Sequence, residues 1–363
     1  MSRILVLNGF GNNLGDQAIQ AGTEILLDGH KLTHAFVYHV TFNEQTIARA
    51  NREFDLILVG GGGLVYHRQG STNRTGWGLD LPADLLPQLT VPIALFAAGY
   101  NYRRYSEPHF PAHMAAHFAA FCGHACHVSA RDPHSRDRFW SIGKMGPEGR
   151  SRPRIVPDLS IHVDPLPVTF PGPTIAISLR LDYPGDRFAP PAAESLERFV
   201  RGLVEQLRPF RETHQFLYTP HIRLAADQKV GDILREELGA VALPDIMPGM
   251  YTAADTRNMP ALYGVYQACD AVVGSRNHAV IIPLSVGTPV VSIASTESSR
   301  WLQTMHGDPE MHAGSYEDVG RVGSLLTRAL AEREQRSAAA LARRDELREV
   351  AWERTAEMLE GLR

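Results

Sequence analysis

The stretch "DAVVGSRNHAVIIPLSVGTPVVSIAS" (270–295) decides the architecture. Ala271–Val273 is a short β-branched run, Ala279–Val286 is apolar enough to be a buried helix, and Val290–Ile293 is a second strand. A strand, a helix and a strand in direct succession form a βαβ crossover, which joins parallel strands. Pro283 belongs in a first helical turn, where its missing N–H costs nothing, so regular helix is expected from about Ile281 or Ile282. Gly287 ends it, and Thr288–Pro289 turns into the next strand. Arg276 and His278 interrupt this apolar stretch at the first strand's end. Burying such groups is costly unless a partner or ligand meets them.

The same alternation runs through the chain. Ile4–Leu7, Ala35–Val40, Leu56–Val59, Ile93–Ala97 and His127–Ala130 read as strands, with helices over Asp16–Leu27 and His113–Phe121. A second series has strands at Thr174–Ser178, Gln215–Thr219 and Ala240–Leu243, and helices at Ala193–Leu207, Gln228–Leu238 and Pro260–Cys269. Between them "GKMGPEGRSRPRIVPDLSIHVDPLPVTFPGP" (143–173) is rich in Pro and Gly, and its second half reads as a linker. The expectation is two open, parallel-sheet α/β domains, 1–165 and 166–363, facing each other across a cleft. Ligands bind such sheets at the C-terminal ends of their strands. The Ala-, Leu-, Glu- and Arg-rich stretch from Glu317 onward predicts one or two long surface helices.

Bulk properties exclude several classes. A net charge of −4 over 363 residues gives no general attraction to nucleic acid or anionic membrane. No apolar run approaches the roughly 18–20 residues that span a bilayer. Cys122, Cys126 and Cys269 form no regular disulfide framework, and "MSRILVLNGF" (1–10) lacks a signal peptide's apolar core. A cytoplasmic location is expected, and an assembly of identical chains is compatible with the sequence.

Six motifs carry candidate chemistry. In "LVLNGFGNNLGDQAI" (5–19) the glycines read G-x-G-x-x-x-G, which is neither a dinucleotide fingerprint nor a P-loop. Asp16 either caps the following helix or hydrogen-bonds substrate hydroxyls from an acceptor loop spanning Gly11–Asp16. Gly60–Gly63, with Gly61 and Gly62 central, let backbone approach a ligand or a neighbouring segment closely. The histidine-rich stretch 109–127 contains His113, His117, Cys122, His124, Cys126 and His127 but matches no metal-site spacing, so no metal is expected. Arg131, in "HVSARDPHS" (127–135), is either half of a structural ion pair or a site residue. Arg180 lies just past the first strand of the second domain, where a guanidinium suits bidentate recognition of carboxylate or phosphate; the alternative is an exposed arginine. Arg276 and His278 at a helix N-terminus call for an anion, unless Arg276 is paired with an acid that the sequence does not reveal.

These elements, in this order, resemble the polysaccharide pyruvyl transferase family. The resemblance rests on "NLGDQAI" (13–19), "GGGGL" (60–64), "SARDPHS" (129–135), "AISLR" (176–180), "MPALYGVYQACDAVVGSR" (259–276) and "SRNHAVIIPLSVGTPVVSI" (275–293). It implies a fold similar to the glycosyltransferase B type. It implies transfer of the enolpyruvyl unit of phosphoenolpyruvate to two hydroxyls of a sugar or glycoside, giving a pyruvate ketal without a cofactor. Arg276 and His278 match the family's donor-binding Arg and His, and Arg180 matches a second donor-binding Arg. For the chemistry itself we expect His278 to be the acid or to assist phosphate departure, and Asp16 to be a base. Two departures stand out: Asn277 replaces the usual Leu between Arg and His, and the usual Lys after the last strand is absent, with Arg300 in "ASTESSRW" as its stand-in. The competing readings are a nucleotide-sugar glycosyltransferase, with Glu297 near the donor phosphates, and a degenerate anion-binding protein.

Overall fold

The computed structural model describes residues 3–8, 13–38, 41–66, 74–101, 111–143, 152–182, 184–251, 256–294 and 297–361. The first half consists of β1 (Arg3–Asn8), α1 (Leu14–Gly29), β2 (Thr33–Tyr38), α2 (Glu44–Glu53), β3 (Leu56–Gly60), β4 (Ile93–Ala98), α3 (Ala112–His124), β5 (His127–Ala130), α4 (Pro133–Ile142) and β6 (Arg154–Ile155). The second opens with β7 (Thr174–Ser178), α5 (Pro184–Arg187), α6 (Ala192–Leu207), β8 (Gln215–Tyr218), α7 (Ala225–Leu238), β9 (Val241–Ala242) and α8 (Leu243–Ile246). It continues with α9 (Met259–Gln267), β10 (Ala271–Gly274), α10 (His278–Ser285), β11 (Val290–Ala294), α11 (Glu297–Met305), β12 (His312–Ser315), α12 (Val322–Ala331) and α13 (Arg333–Glu360).

Each half contains a six-stranded sheet, in the orders β2-β1-β3-β4-β5-β6 and β12-β11-β10-β7-β8-β9. Every paired strand is parallel to its neighbour. The core strands β3, β4, β7 and β10 are buried along their whole length, as parallel strands covered by helices on both faces must be. Strand order reverses direction between β1 and β3 in the first sheet and between β7 and β10 in the second. At such switch points the following loops part and leave a crevice for a ligand.

The expected βαβ alternation is present, with three local differences. α1 begins at Leu14 because Asn13 is its N-cap, its Oδ1 accepting the Gly15 N–H at 3.1 Å. Asp16 therefore sits inside the first turn and does not cap. α10 begins at His278, with Pro283 in its interior. The carbonyl that Pro283 cannot serve is that of Ala279, and it packs against Gly274, where a Cβ would lie 2.6 Å from it. Third, β6 and β12 were not anticipated: one has two residues, and the other, "HAGS", pairs through an irregular register.

The sheets are not separate beads. The segment after β6 forms a 3₁₀ turn (Leu159–His162) packed so closely on α1 that a Cβ on Gly22 would stand 1.8 Å from the Leu159 carbonyl oxygen. Leu14, Ala18 and Ala21 of α1 share a hydrophobic cluster with Met259, Leu262, Tyr263 and Val280 of the second half. α13 crosses back: Ala351 and Met358 pack with Ile4, Val6, Leu26 and Leu27. Trp352 stacks on His30 at 3.9 Å, and Arg154 pairs with Glu357 at 2.6 Å.

Gly22 and Gly123 make opposite predictions. Alanine in place of a helical glycine gains up to about 1 kcal/mol of helix propensity. At Gly123 nothing lies within 4 Å of the new methyl group, so Gly123→Ala should raise the urea midpoint. At Gly22 the methyl group meets a backbone oxygen that cannot yield. Overpacking of this kind costs about 1–3 kcal/mol, so Gly22→Ala should lower the midpoint.

Candidate functional site

The loops after β7 and β10 carry Arg180 and Arg276 to the second switch point. Both side chains turn toward one carboxylate, Asp182. Its Oδ1 is 3.5 Å from Arg180 Nε and 3.2 Å from Arg276 Nη2. Arg187, from α5, donates to its Oδ2 at 2.7 Å and to the Asp182 carbonyl at 2.6 Å. Backbone ties fix the geometry. The Arg180 N–H donates to Ser275 Oγ at 2.7 Å, Tyr316 OH donates to the Arg180 carbonyl at 2.7 Å, and Arg276 Nε donates to the Leu179 carbonyl at 3.0 Å.

Three guanidinium groups thus share one buried carboxylate. A second acid near the cluster is Asp227, whose carboxyl burial pushes up to about 6 against the pull of Arg276, and which accepts from Tyr218 OH at 3.3 Å. Even with Asp227 ionised the cluster keeps a positive balance. Burial pushes Arg180 down to about 9, Arg187 and Arg276 adding to the effect against Asp182. Burial also works against the Asp182 anion, but the three arginines together hold its carboxyl far below the usual carboxylate range. Arg180 Nε and Arg276 Nη2 face Asp182 Oδ1 without a hydrogen bond to it, and Arg187 Nη1 is likewise buried without a hydrogen-bond partner among the described residues. A polyanion would fill that deficit in both charge and hydrogen bonding.

The first sheet's switch point supplies a different group. Gly61 and Gly62 follow β3 with φ of +71° and +68°, a backbone that glycine tolerates and other residues resist. A Cβ on Gly61 would lie 2.1 Å from the Ile19 side chain, and one on Gly62 would lie 3.4 Å from Asp16 Oδ1. The glycine turn therefore seats against α1 and the Asp16 carboxylate. Asn13 Nδ2 donates to Asp16 Oδ2 at 3.0 Å, and Asn8 Nδ2 donates to the Asp16 carbonyl at 3.2 Å.

His278 meets this group from the second domain. A Cβ on Gly15 would stand 2.3 Å from His278 Nδ1, so the imidazole lies flush against the first turn of α1. On its other side, His278 Nε2 is 3.4 Å from Asp158 Oδ2. The same oxygen accepts from Arg131 Nη1 at 3.2 Å. Burial pushes Asp16 up to about 6; His278, the Asn13 amide and Arg131 work against that rise, and Asp158 adds to it.

Residues 13–297 match the family model for polysaccharide pyruvyl transferase. The chain belongs to the polysaccharide pyruvyl transferase family. No curated protein matches it. Its fold is shared with solved structures of low identity. S. aureus MnaA, in a co-structure with UDP, superposes with a TM-score of 0.53 at 12% identity, covering 94% of this chain and 91% of that one. A putative UDP-N-acetylglucosamine 2-epimerase from Listeria monocytogenes gives 0.55 at 12%, with coverages of 93% and 90%. An α,α-trehalose-phosphate synthase (UDP-forming) from Burkholderia vietnamiensis gives 0.52 at 14%, with coverages of 99% and 98%. The two-domain arrangement resembling the glycosyltransferase B fold is thereby established.

In this pyruvyl transferase family member the expected site residues divide into four sets. Arg180 and Arg276 converge, and Asp16, Gly61, Gly62 and His278 converge across the cleft. Asn277 lies between, buried, with its Oδ1 accepting from Ser299 Oγ of α11 at 3.0 Å. Arg131 and Arg300 join neither group. Arg131 is 1% exposed and paired with Asp158 and Asp132, the ion-pair arrangement that its sequence allowed. Arg300 is exposed on α11, with no contact to the arginine cluster among the described residues. Gly11 and the side chain of Glu297 lie outside the described residues. His117 is a core histidine: Trp77 Nε1–H donates to its Nδ1 at 2.7 Å, so its Nε2–H donates to the Leu81 carbonyl at 2.6 Å. No three metal-ligating side chains cluster among the described residues.

Sequence reasoning missed Asp182, Arg187, Asp158 and His221. Asp182 stands only two residues past Arg180, and that spacing was the one available hint. His221 is buried, its Nε2 2.7 Å from Tyr266 OH. Burial, then Arg276 and His278, hold it well below the usual imidazole range, so it is neutral.

Asp16 predicts a pH signature. An unfolded aspartate titrates near 3.9, whereas here the native carboxyl titrates at about 6. Between those values the native chain holds a proton that the unfolded chain has lost, so stability falls as pH rises through the window. Asp16→Asn removes the penalty. The stability difference between variant and wild type should grow in the variant's favour from about pH 4 to pH 6 and then level off. Urea midpoints across that range test this, and a flat difference contradicts it.

Proposed function

We propose that the protein transfers the enolpyruvyl unit of phosphoenolpyruvate to two hydroxyls of a sugar or related glycoside, forming a pyruvate ketal and releasing phosphate. The observation that carries this reading is the sharing of Asp182 by Arg180, Arg187 and Arg276 at the β7/β10 switch point. Phosphoenolpyruvate carries a carboxylate and a phosphate, and a positive cluster with unfilled guanidinium N–H groups suits both. A nucleoside diphosphate offers phosphates as well, but no carboxylate.

The reaction needs a proton on the vinyl carbon C3 and an oxygen nucleophile at C2. The first acceptor hydroxyl adds to C2 and gives up its proton. The C2–O bond to phosphate then breaks, leaving an oxocarbenium centre that the second hydroxyl closes, its proton leaving with phosphate. His278 is assigned as the acid that protonates C3 or assists phosphate departure. Asp16 is assigned as the base for an acceptor hydroxyl. A carboxyl titrating at about 6 is largely ionised at neutral pH, yet a better proton acceptor than an ordinary aspartate. The acceptor would sit along the first-domain wall formed by Asp16, Gly61 and Gly62.

Arg180→Gln and Arg276→Gln are each expected to weaken phosphoenolpyruvate binding by about 10–100-fold, the worth of a charge-assisted contact, measured by calorimetry. Incubation with phosphoenolpyruvate and a panel of glycosides should release phosphate in step with a mass gain of one pyruvyl unit. Unchanged affinity in both variants, or stabilisation by UDP-sugars with none by phosphoenolpyruvate, sinks the donor assignment.

A further inference from the structure

We infer that Asp158, clamped by Arg131, is the positioning residue for His278, so that an imidazole of the second domain is oriented by a carboxylate from the segment that closes the first. The proposal rests on the reading above only for what His278 does to substrate.

Asp158 is fully enclosed, and a carboxylate there is costly unless it is compensated. Its two oxygens divide the work. Oδ1 accepts the Ser160 N–H at 3.1 Å, which ties the carboxylate to its own 3₁₀ turn. Oδ2 is held by Arg131 Nη1 at 3.2 Å and faces His278 Nε2 at 3.4 Å. Burial alone would push the carboxyl up, but His278, Arg131 and Ser160 outweigh it and keep Asp158 ionised. His278 Nε2 is buried and makes no hydrogen bond among the described residues, so its approach to Asp158 is an ion-pair contact that a small turn of the ring converts into a hydrogen bond.

The ring is therefore bracketed. Nε2 looks toward a fixed anion, and Nδ1 lies against Gly15, one residue from Asp16. An ionised carboxylate only accepts, so the Nε2 proton of His278 is directed at Asp158, and Nδ1, on the α1 side of the cleft, is the nitrogen that carries the proton given up when His278 acts as the acid. Arg131 completes the arrangement without touching substrate: its side chain lies against Gly99, where a Cβ would stand 2.4 Å from Arg131 Nε. The chain Arg131–Asp158–His278 thus runs from the end of β5, through the inter-sheet segment, to the head of α10.

The test uses the full-length chain. In the wild type, the His278 Nε2–H should give a downfield, slowly exchanging proton resonance, assigned by its loss in His278→Gln. Asp158→Asn should abolish it, and so should Arg131→Met/Asp158→Leu, which replaces the buried pair with apolar groups and guards against misfolding of the single variant. In the phosphoenolpyruvate reaction, kcat should fall by about 10–100-fold in Asp158→Asn, with donor affinity unchanged. Asp158→Asn added to His278→Gln should cost nothing more, because the two act as one unit. A resonance that survives both Asp158 variants, or multiplicative losses in kcat, overturns the inference. A wild type that turns over no phosphoenolpyruvate removes the pyruvyl reading instead, and the resonance still decides the role of Asp158.

Discussion

One buried carboxylate sets the electrostatics of the cleft. Asp182 lies within ion-pair reach of Arg180, Arg187 and Arg276. Guanidinium groups about 4 Å apart repel by about 4 kcal/mol at an effective dielectric near 20, so three cannot gather in a protein interior without a shared anion. Asp182 holds them, yet one charge cannot neutralise three. The remainder is a standing demand for an anionic ligand. The backbone enforces the arrangement, because Leu179, Ser275 and Tyr316 pin the two arginine-bearing loops.

The opposite wall is built on a different principle. Its fixed charges, Arg131 and Asp158, are matched to each other, and it gains its character from close backbone approach. Gly15 admits the His278 ring, and Gly61 and Gly62 turn through left-handed conformations onto α1. Asp16 is half-buried there, near enough to a cation to ionise and deep enough to resist doing so. The two switch points thus differ in chemistry: one is a rigid cationic cradle, the other a glycine-lined surface with one tunable carboxyl. α1 links them, since it packs on its own sheet and on α9 and α10 of the second half. Packing on both sides keeps Gly15 against His278.

Much of this was legible in the chain. Strand and helix runs declared themselves through β-branched clusters and apolar periodicity, because parallel strands must be apolar on both faces. Glycine and proline punctuated the turns. Arg180, Arg276 and His278 stood out as polar residues at strand ends, where burial without a function is costly. Local reading failed where two signals compete for one place. Asp16 looks like a cap, but Asn13 reaches the Gly15 amide first. Pro283 looks like a helix start, but a buried carbonyl against Gly274 tolerates it inside the helix. Arg131 reads equally as an ion-pair half or a site residue, because its partner Asp158 lies 27 residues away in a proline-rich stretch.

The sequence by itself determined the fold class, the parallel sheets and the residue types at the strand ends, because these follow from hydrophobic period and turn chemistry within short windows. Which charges meet was decided by the tertiary structure alone. Asp182 gathers three arginines, and Asp158 faces both Arg131 and His278, only after strand order has set loops from distant parts of the chain side by side. The physical reason is range: propensity and patterning act over a few residues, whereas an ion pair acts through space and has no signature along the chain.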